Sequence, residues 1–201
     1  MELRVVPGPL SAADRDAARA IAAHATAADG VAPLDEAALL ALADDDPSAT
    51  PPAPLHLLAS AGFGARPATS SDGAREVAGY AQLDLGGQVP TAQLVVDPPA
   101  RGRGVGRALL EAAIVAAREA AGGGPTSGFE VWAHGNLPAA RALAAAAAFE
   151  KVGELWRMST DLRDRPRVET TWSQGLVVRP FRPGHDEPAW LAVNARAFVG
   201  H

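Results

Sequence analysis

The chain has no cysteine among its 201 residues. That excludes disulfides, thiol nucleophiles and cysteine-ligated metal, and it fits a reducing compartment. Basic stretches are missing too. With 18 Lys and Arg against 23 Asp and Glu, a net charge of −5 and a pI near 5.5, the surface lacks the electrostatic footprint of a nucleic-acid binder. The longest apolar run, Ala142 to Phe149, is far short of the roughly 20 residues that span a bilayer. The opening MELRVVPGPLSAADRD turns acidic before any apolar core develops, which is not the pattern of a signal peptide. What remains is a cytoplasmic globular protein of one domain or one and a half, with no metal, nucleic-acid or membrane partner.

What is present is organised around Thr91 to Leu110, TAQLVVDPPARGRGVGRALL. An apolar β-branched strand containing Leu94, Val95 and Val96 runs through a Pro-Pro break into a glycine-rich turn, and a helix opens at about Gly104. The first turn of a helix has backbone N–H groups without intrahelical partners, and the aligned peptide dipoles place about half a positive charge there. Gly102, Gly104 and Gly106 remove Cβ atoms from around those groups, while Arg101, Arg103 and Arg107 add cationic side chains. Such a turn holds a phosphate or pyrophosphate.

The spacing narrows the ligand. A dinucleotide fingerprint would place its third glycine one residue later, where Arg107 stands, and the Gly-Lys-Ser/Thr of a P-loop is absent. The pattern present is Arg-x-x-Gly-x-Gly, over Arg101, Gly104 and Gly106, behind a strand ending Val-Val-Asp-Pro. This resembles the acetyl-CoA signature of the GNAT N-acetyltransferases. The resemblance implies an α/β (α+β) GNAT acyl-CoA N-acyltransferase fold with a mixed central sheet flanked by helices, and acetyl-CoA as co-substrate. It assigns Leu94, Val95 and Val96 to the pantetheine arm, and Arg101, Gly102, Arg103, Gly104, Val105, Gly106 and Arg107 to the pyrophosphate.

The remaining elements follow that order. Leu3–Val6 reads as a strand closed by Pro7-Gly8-Pro9, and Ser11 with Asp14 caps a helix that ends near Gly30. A second helix runs from about Asp35 to Ala43, and a loop from Asp44 to Pro54. A strand at Leu55–Ala59 leads into a Ser/Gly/Pro-rich hairpin loop, Arg66–Arg75, and a strand at Val77–Leu85 returns from it. After the central helix, stopped at Gly122–Pro125, come a strand at Phe129–Ala133, a helix at Pro138–Ala148 with proline in its first turn, and one or two closing strands in Val152–Leu162. This gives an N-terminal domain over 1–162 and a polar linker over 163–175. From 176 to 201 a strand at Leu176–Phe181 and a helix at Pro188–Phe198 repeat the chain's own opening, as the start of a truncated second domain.

Asp29–Leu39, Trp132–Gly135, Gly153–Leu162 and Val178–Phe198 resemble the mycothiol synthases, a tandem two-domain branch of the GNAT family. That resemblance implies a small-molecule amine acceptor, the cysteinyl amine of a cysteinyl glucosaminyl-inositol, in a protein that is monomeric at full length. It also carries acceptor binding onto Glu36. A glutamate at a helix N-terminus is equally favoured by the helix dipole alone.

Catalysis is less well provided for. Acyl transfer needs a neutral amine about 3 to 3.5 Å from the thioester carbon, donors for the oxyanion and a proton source for the thiolate. The family supplies the acid as a helix tyrosine, but Ala144 stands at that position and the chain's one tyrosine, Tyr80, lies elsewhere. Gln93 stands near the place of the catalytic carboxylate. Glu130 is a replacement base or a solvated surface residue, and His134 is a base or a turn-shaping residue. No residue is assigned as catalytic. Three functions fit: an acetyl-CoA-holding half of a mycothiol synthase, a GNAT module that has lost its chemistry, or a stand-alone GNAT acting on another small-molecule or protein amine.

Overall fold

The computed structural model describes residues 1–42, 54–60, 77–122, 128–164 and 174–198. Two compact units divide the chain, Met1–Val152 and Gly153–His201. The first contains β1 (Glu2–Pro7), α1 (Ala12–Asp29), α2 (Glu36–Ala41), β2 (Leu55–Ser60), β3 (Val77–Asp84), β4 (Thr91–Val96), α3 (Val105–Ala120), β5 (Glu130–Trp132) and α4 (Pro138–Ala146), and the second contains α5 (Glu187–Ala197). The five strands form one sheet in sequence order. β1 to β4 are antiparallel, and β5 joins β4 in parallel.

Local chemistry sets the helix ends. The Ser11 hydroxyl accepts from Asp14 N–H at 3.2 Å, and Gly30 closes α1 in the left-handed conformation at φ 72°, its N–H donating to the Thr26 carbonyl. Asp35 caps α2 by accepting from Ala38 N–H at 2.8 Å. An ion pair between Arg4 and Asp14 joins β1 to the first turn of α1.

Strand alternation then fills two cores. Leu58, Tyr80 and Val95 point to one face, against Ala18, Ile21, Ala22 and Ala25 of α1 and Ala38 of α2. Leu57, Ala59, Ala81 and Ala92 point to the other, against Val105, Leu109 and Ala113 of α3. Small side chains let α3 lie close to the sheet, and at Gly79 there is no room for a Cβ. A Cβ there would lie 2.8 Å from Val105 Cγ1, 2.9 Å from Leu109 Cδ1 and 3.2 Å from the Val95 carbonyl oxygen. Tyr80 is wholly buried with His56 beside it, their side chains hydrogen-bonded at 2.8 Å. Burial lowers the imidazole pKa to about 4 and raises that of the phenol.

The closing strands expected in Val152–Leu162 do not form; these residues are neither helix nor strand. Nor does a strand form at Leu176–Phe181. In both places the apolar pattern is present, but a strand exists only through a neighbour's hydrogen-bond ladder. The second unit has no strand among its described residues, and Pro180 offers no N–H. The unit does reproduce one feature of the first. Arg179 makes a bidentate pair with Asp186, the residue before α5, at 2.6 and 2.8 Å. The Arg66–Arg75 loop, nearly all of the Asp44–Pro54 loop and most of the 163–175 linker lie outside the described residues.

Two outcomes follow from this packing. Gly79→Val should destabilise the chain by about 1 to 3 kcal/mol through overpacking, seen as a lower urea midpoint with an unchanged slope. His56 is held neutral below its unfolded pKa of about 6.5, so the unfolded state takes up the proton first. Its contribution to stability is complete above pH 6.5, declines as pH falls towards 4 and then levels off. Chemical denaturation across that range should show this slope in the native chain and a reduced one in His56→Gln.

Candidate functional site

The turn after β4 has the geometry expected of an anion cradle. Asp97 opens a 3-10 turn at Pro98–Ala100, Arg101 is extended, and Gly102 and Gly104 take left-handed conformations at φ 71° and 87°. Both glycines face open space, with nothing within 4 Å of a Cβ built on either. Gly104 is the N-cap of α3, so the free N–H groups of that helix start beside this opening. Gly106 differs. A Cβ there would meet Val96 and Leu143 at ordinary contact distances of 3.4 and 3.6 Å, so this position faces β4 and α4 rather than open space.

The ladder between β4 and β5 covers only three pairs, Thr91–Glu130, Ala92–Val131 and Gln93–Trp132. β4 continues through Leu94, Val95 and Val96 beyond the last of them, towards the glycine turn. The side chains of Val95 and Val105 are buried in the two cores, so only their backbone groups are available to a ligand.

At the point of divergence the structure gathers four residues. The Gln93 side-chain oxygen accepts from Asp35 N–H at 2.7 Å and lies 3.1 Å from His134 Nε2. A backbone N–H must donate, which fixes the amide orientation. The His134 contact to that same oxygen then requires a proton on Nε2, leaving the neutral ring's lone pair on Nδ1. Burial lowers the His134 pKa, opposed in part by the charge of Asp35. Trp132 stacks on the imidazole at a centroid distance of 6.3 Å. Beside this group is a polar cleft of about 90 Å³ lined by Asp35, Gln82, Asp84, Thr91, Gln93 and Trp132.

The other expected site residues fall as follows. Glu36 is the exposed first residue of α2, next to Asp35. Glu130 is exposed on the short edge strand. Ala144 lies in α4 and has no proton to give. Arg107 pairs with Glu111 at 3.0 Å, and Arg103 is exposed. The Arg101 guanidinium turns to α1, where it holds both carboxylate oxygens of Asp29 at 2.7 Å and donates through Nε to the Val96 carbonyl at 3.2 Å. Sequence reasoning missed Asp29 and Asp35. Each stands beside a helix boundary, where an acidic residue is ordinary, and its partner is 72 or 58 positions away.

Residues 70–153 match the model of the acetyltransferase (GNAT) domain. A mycothiol acetyltransferase from Cellulomonas flavigena is 44% identical over 196 residues, covering 96% of this chain and 51% of the relative. One from Sanguibacter keddieii is 42% identical over 206 residues, covering 100% and 58%. The chain thus spans a little over half the length of the curated relatives it matches. The crystal structure of a GCN5-related N-acetyltransferase from Sphaerobacter thermophilus superposes with a TM-score of 0.62 at 24% identity, covering 96% of this chain and 58% of that one; this likeness concerns the fold. The chain has the GNAT fold, carries a segment matching that family's acetyltransferase domain, and is similar in sequence to a little over half of each of the mycothiol acetyltransferases it matches.

Proposed function

We propose that the chain is the acetyl-CoA-binding half of an N-acetyltransferase of the mycothiol acetyltransferase type. The observation that carries this is the conjunction at one end of β4. A strand runs past its last parallel partner directly into a turn with two left-handed glycines, open to solvent, at the N-terminus of a 16-residue helix. A ligand with a peptide-like arm and a pyrophosphate fits both parts at once, the arm along Leu94–Val96 and the phosphates at Gly102–Gly106. Arg103 and Arg107 border that turn.

The acceptor in this reading is the cysteinyl amine of a cysteinyl glucosaminyl-inositol, with Glu36 and the polar cleft beside Gln93 on the acceptor side. In the reaction the neutral amine attacks the thioester carbon, a C–N bond forms, the C–S bond breaks, the amine nitrogen gives up one proton to a base, and the CoA thiolate takes one from an acid. The residues present supply little of that proton traffic. Ala144 replaces the family's acid, Gln93 cannot ionise, and His134, with its Nε2 proton given to Gln93, has only the Nδ1 lone pair to offer. The half chain therefore binds acetyl-CoA with little turnover, and the catalytic groups belong to a second domain whose opening is the segment 176–201. An Arg–Asp pair stands near the head of both helices, Arg179–Asp186 at α5 and Arg4–Asp14 at α1, at different spacings, and this supports the repeat in kind.

Calorimetric titration with acetyl-CoA, followed by a thiol-release assay with the cysteinyl glucosaminyl-inositol, tests this directly. Binding without turnover is the expected result. Turnover that is lost in His134→Ala or Glu130→Gln would instead indicate a complete enzyme, and absence of binding would reject the cofactor assignment. Gly104→Glu should weaken acetyl-CoA binding more than about 100-fold, equivalent to roughly 2.7 kcal/mol, because it adds a carboxylate to the anion turn. Gly8→Glu places the same residue at a comparable φ of 76° away from the turn, and should bind as the native chain does.

A further inference from the structure

The arginine that opens the Arg-x-x-Gly-x-Gly turn is engaged on the side away from the glycines. All three of its guanidinium nitrogens are used, Nη1 and Nη2 on the two oxygens of Asp29 and Nε on the Val96 carbonyl. The planar fork matches a carboxylate in a way that a lysine ammonium would not. Asp29 is the last residue of α1, and its carboxyl is held below its ordinary pKa by the Arg101 hydrogen bonds. The last turn of α1 contains no basic residue, so Arg101 also provides, from 72 positions away, the cation that a helix C-terminus favours. One and a half turns earlier on the same helix, His24 Nδ1 lies 3.1 Å from Asp97, the residue that opens the 3-10 turn. The loop leading into the glycines is thus attached to α1 at two points.

From this geometry we infer that Asp29 is a positioning residue for the anion turn, acting through Arg101. Arg101 fixes where Gly102 begins and gives no hydrogen bond to the ligand's phosphates. The Asp29–Arg101–Val96 link sets the end of β4, the start of the turn and the C-terminus of α1 in one arrangement, so the α3 N–H groups point into the opening before any ligand arrives. The ligand part of this inference rests on the acetyl-CoA reading, whereas the positioning part can be read in the ligand-free chain.

Four variants test it: Asp29→Asn, Asp29→Glu, Arg101→Gln and the Asp29→Asn/Arg101→Gln pair. In the ligand-free chain, amide hydrogen exchange at Ala100, Arg101 and Ala108, whose N–H groups donate to the Asp97, Pro98 and Gly104 carbonyls across the turn, should accelerate about tenfold in Asp29→Asn, with the amides of β3 unchanged. Asp29→Glu should restore most of the protection. Acetyl-CoA affinity by calorimetry should fall about tenfold in Asp29→Asn and in Arg101→Gln, and no further in the pair. Unchanged exchange at the turn in Asp29→Asn would overturn the positioning role. Losses that add in the pair would show Arg101 touching the ligand independently, which also overturns it. A native chain that does not bind acetyl-CoA would reject the functional reading instead, and the ligand-free exchange would then decide the positioning role alone.

Discussion

The close approach of α3 to the sheet is the constraint on which the rest depends. A helix can start at the end of β4 only if its body lies flat on the strands behind it. That requires a residue without a side chain where α3 crosses β3, and Gly79 provides it, with Val105 and Leu109 occupying the volume a Cβ would need. Alanines at 59, 81, 92 and 113 lower the same interface further. Because the packing there is close to interior density, small shifts of the helix are costly. The position of the α3 N-terminus, and of the open glycines before it, is therefore inherited from the core.

Much of this was legible in the sequence. The β4–turn–α3 element, the capped α1 and the alternating strands follow from local chemistry: Ser11 with Asp14, Gly30 after α1, and glycines where the backbone must turn left-handed. What was not legible is whatever depends on distant partners. Arg101 belongs to a recognisable motif, yet its contact with Asp29 joins elements far apart in the chain. Gly79 looks like any glycine in a strand until the helix above it is in place. The apolar runs at Val152–Leu162 and Leu176–Phe181 read as strands because side-chain pattern is local, whereas a ladder is not.

The site shows the same division. Its proposed anion end is written in one contiguous stretch, Gly102 to Arg107, and could be proposed from spacing. Its other end is assembled from α2, β3, β4 and β5, around Gln93 and the cleft it lines with Asp35 and Trp132. At that end the residue types alone left His134 open between base and turn-former. The double acceptance by the Gln93 oxygen places the His134 proton on Nε2, and that is visible only in three dimensions.

The short parallel ladder has one more consequence. Leu94 to Val96 continue past their last partner on β5, so under the proposed reading the cofactor's amide-bearing arm takes the place of the missing stretch of strand. Recognition of this kind uses main-chain groups, which every residue except proline carries. Side chains along Leu94 and Val96 are then free to change with the hydrophobic layer beneath them without altering what is bound. The core of such a protein can drift over evolutionary time while its cofactor stays the same.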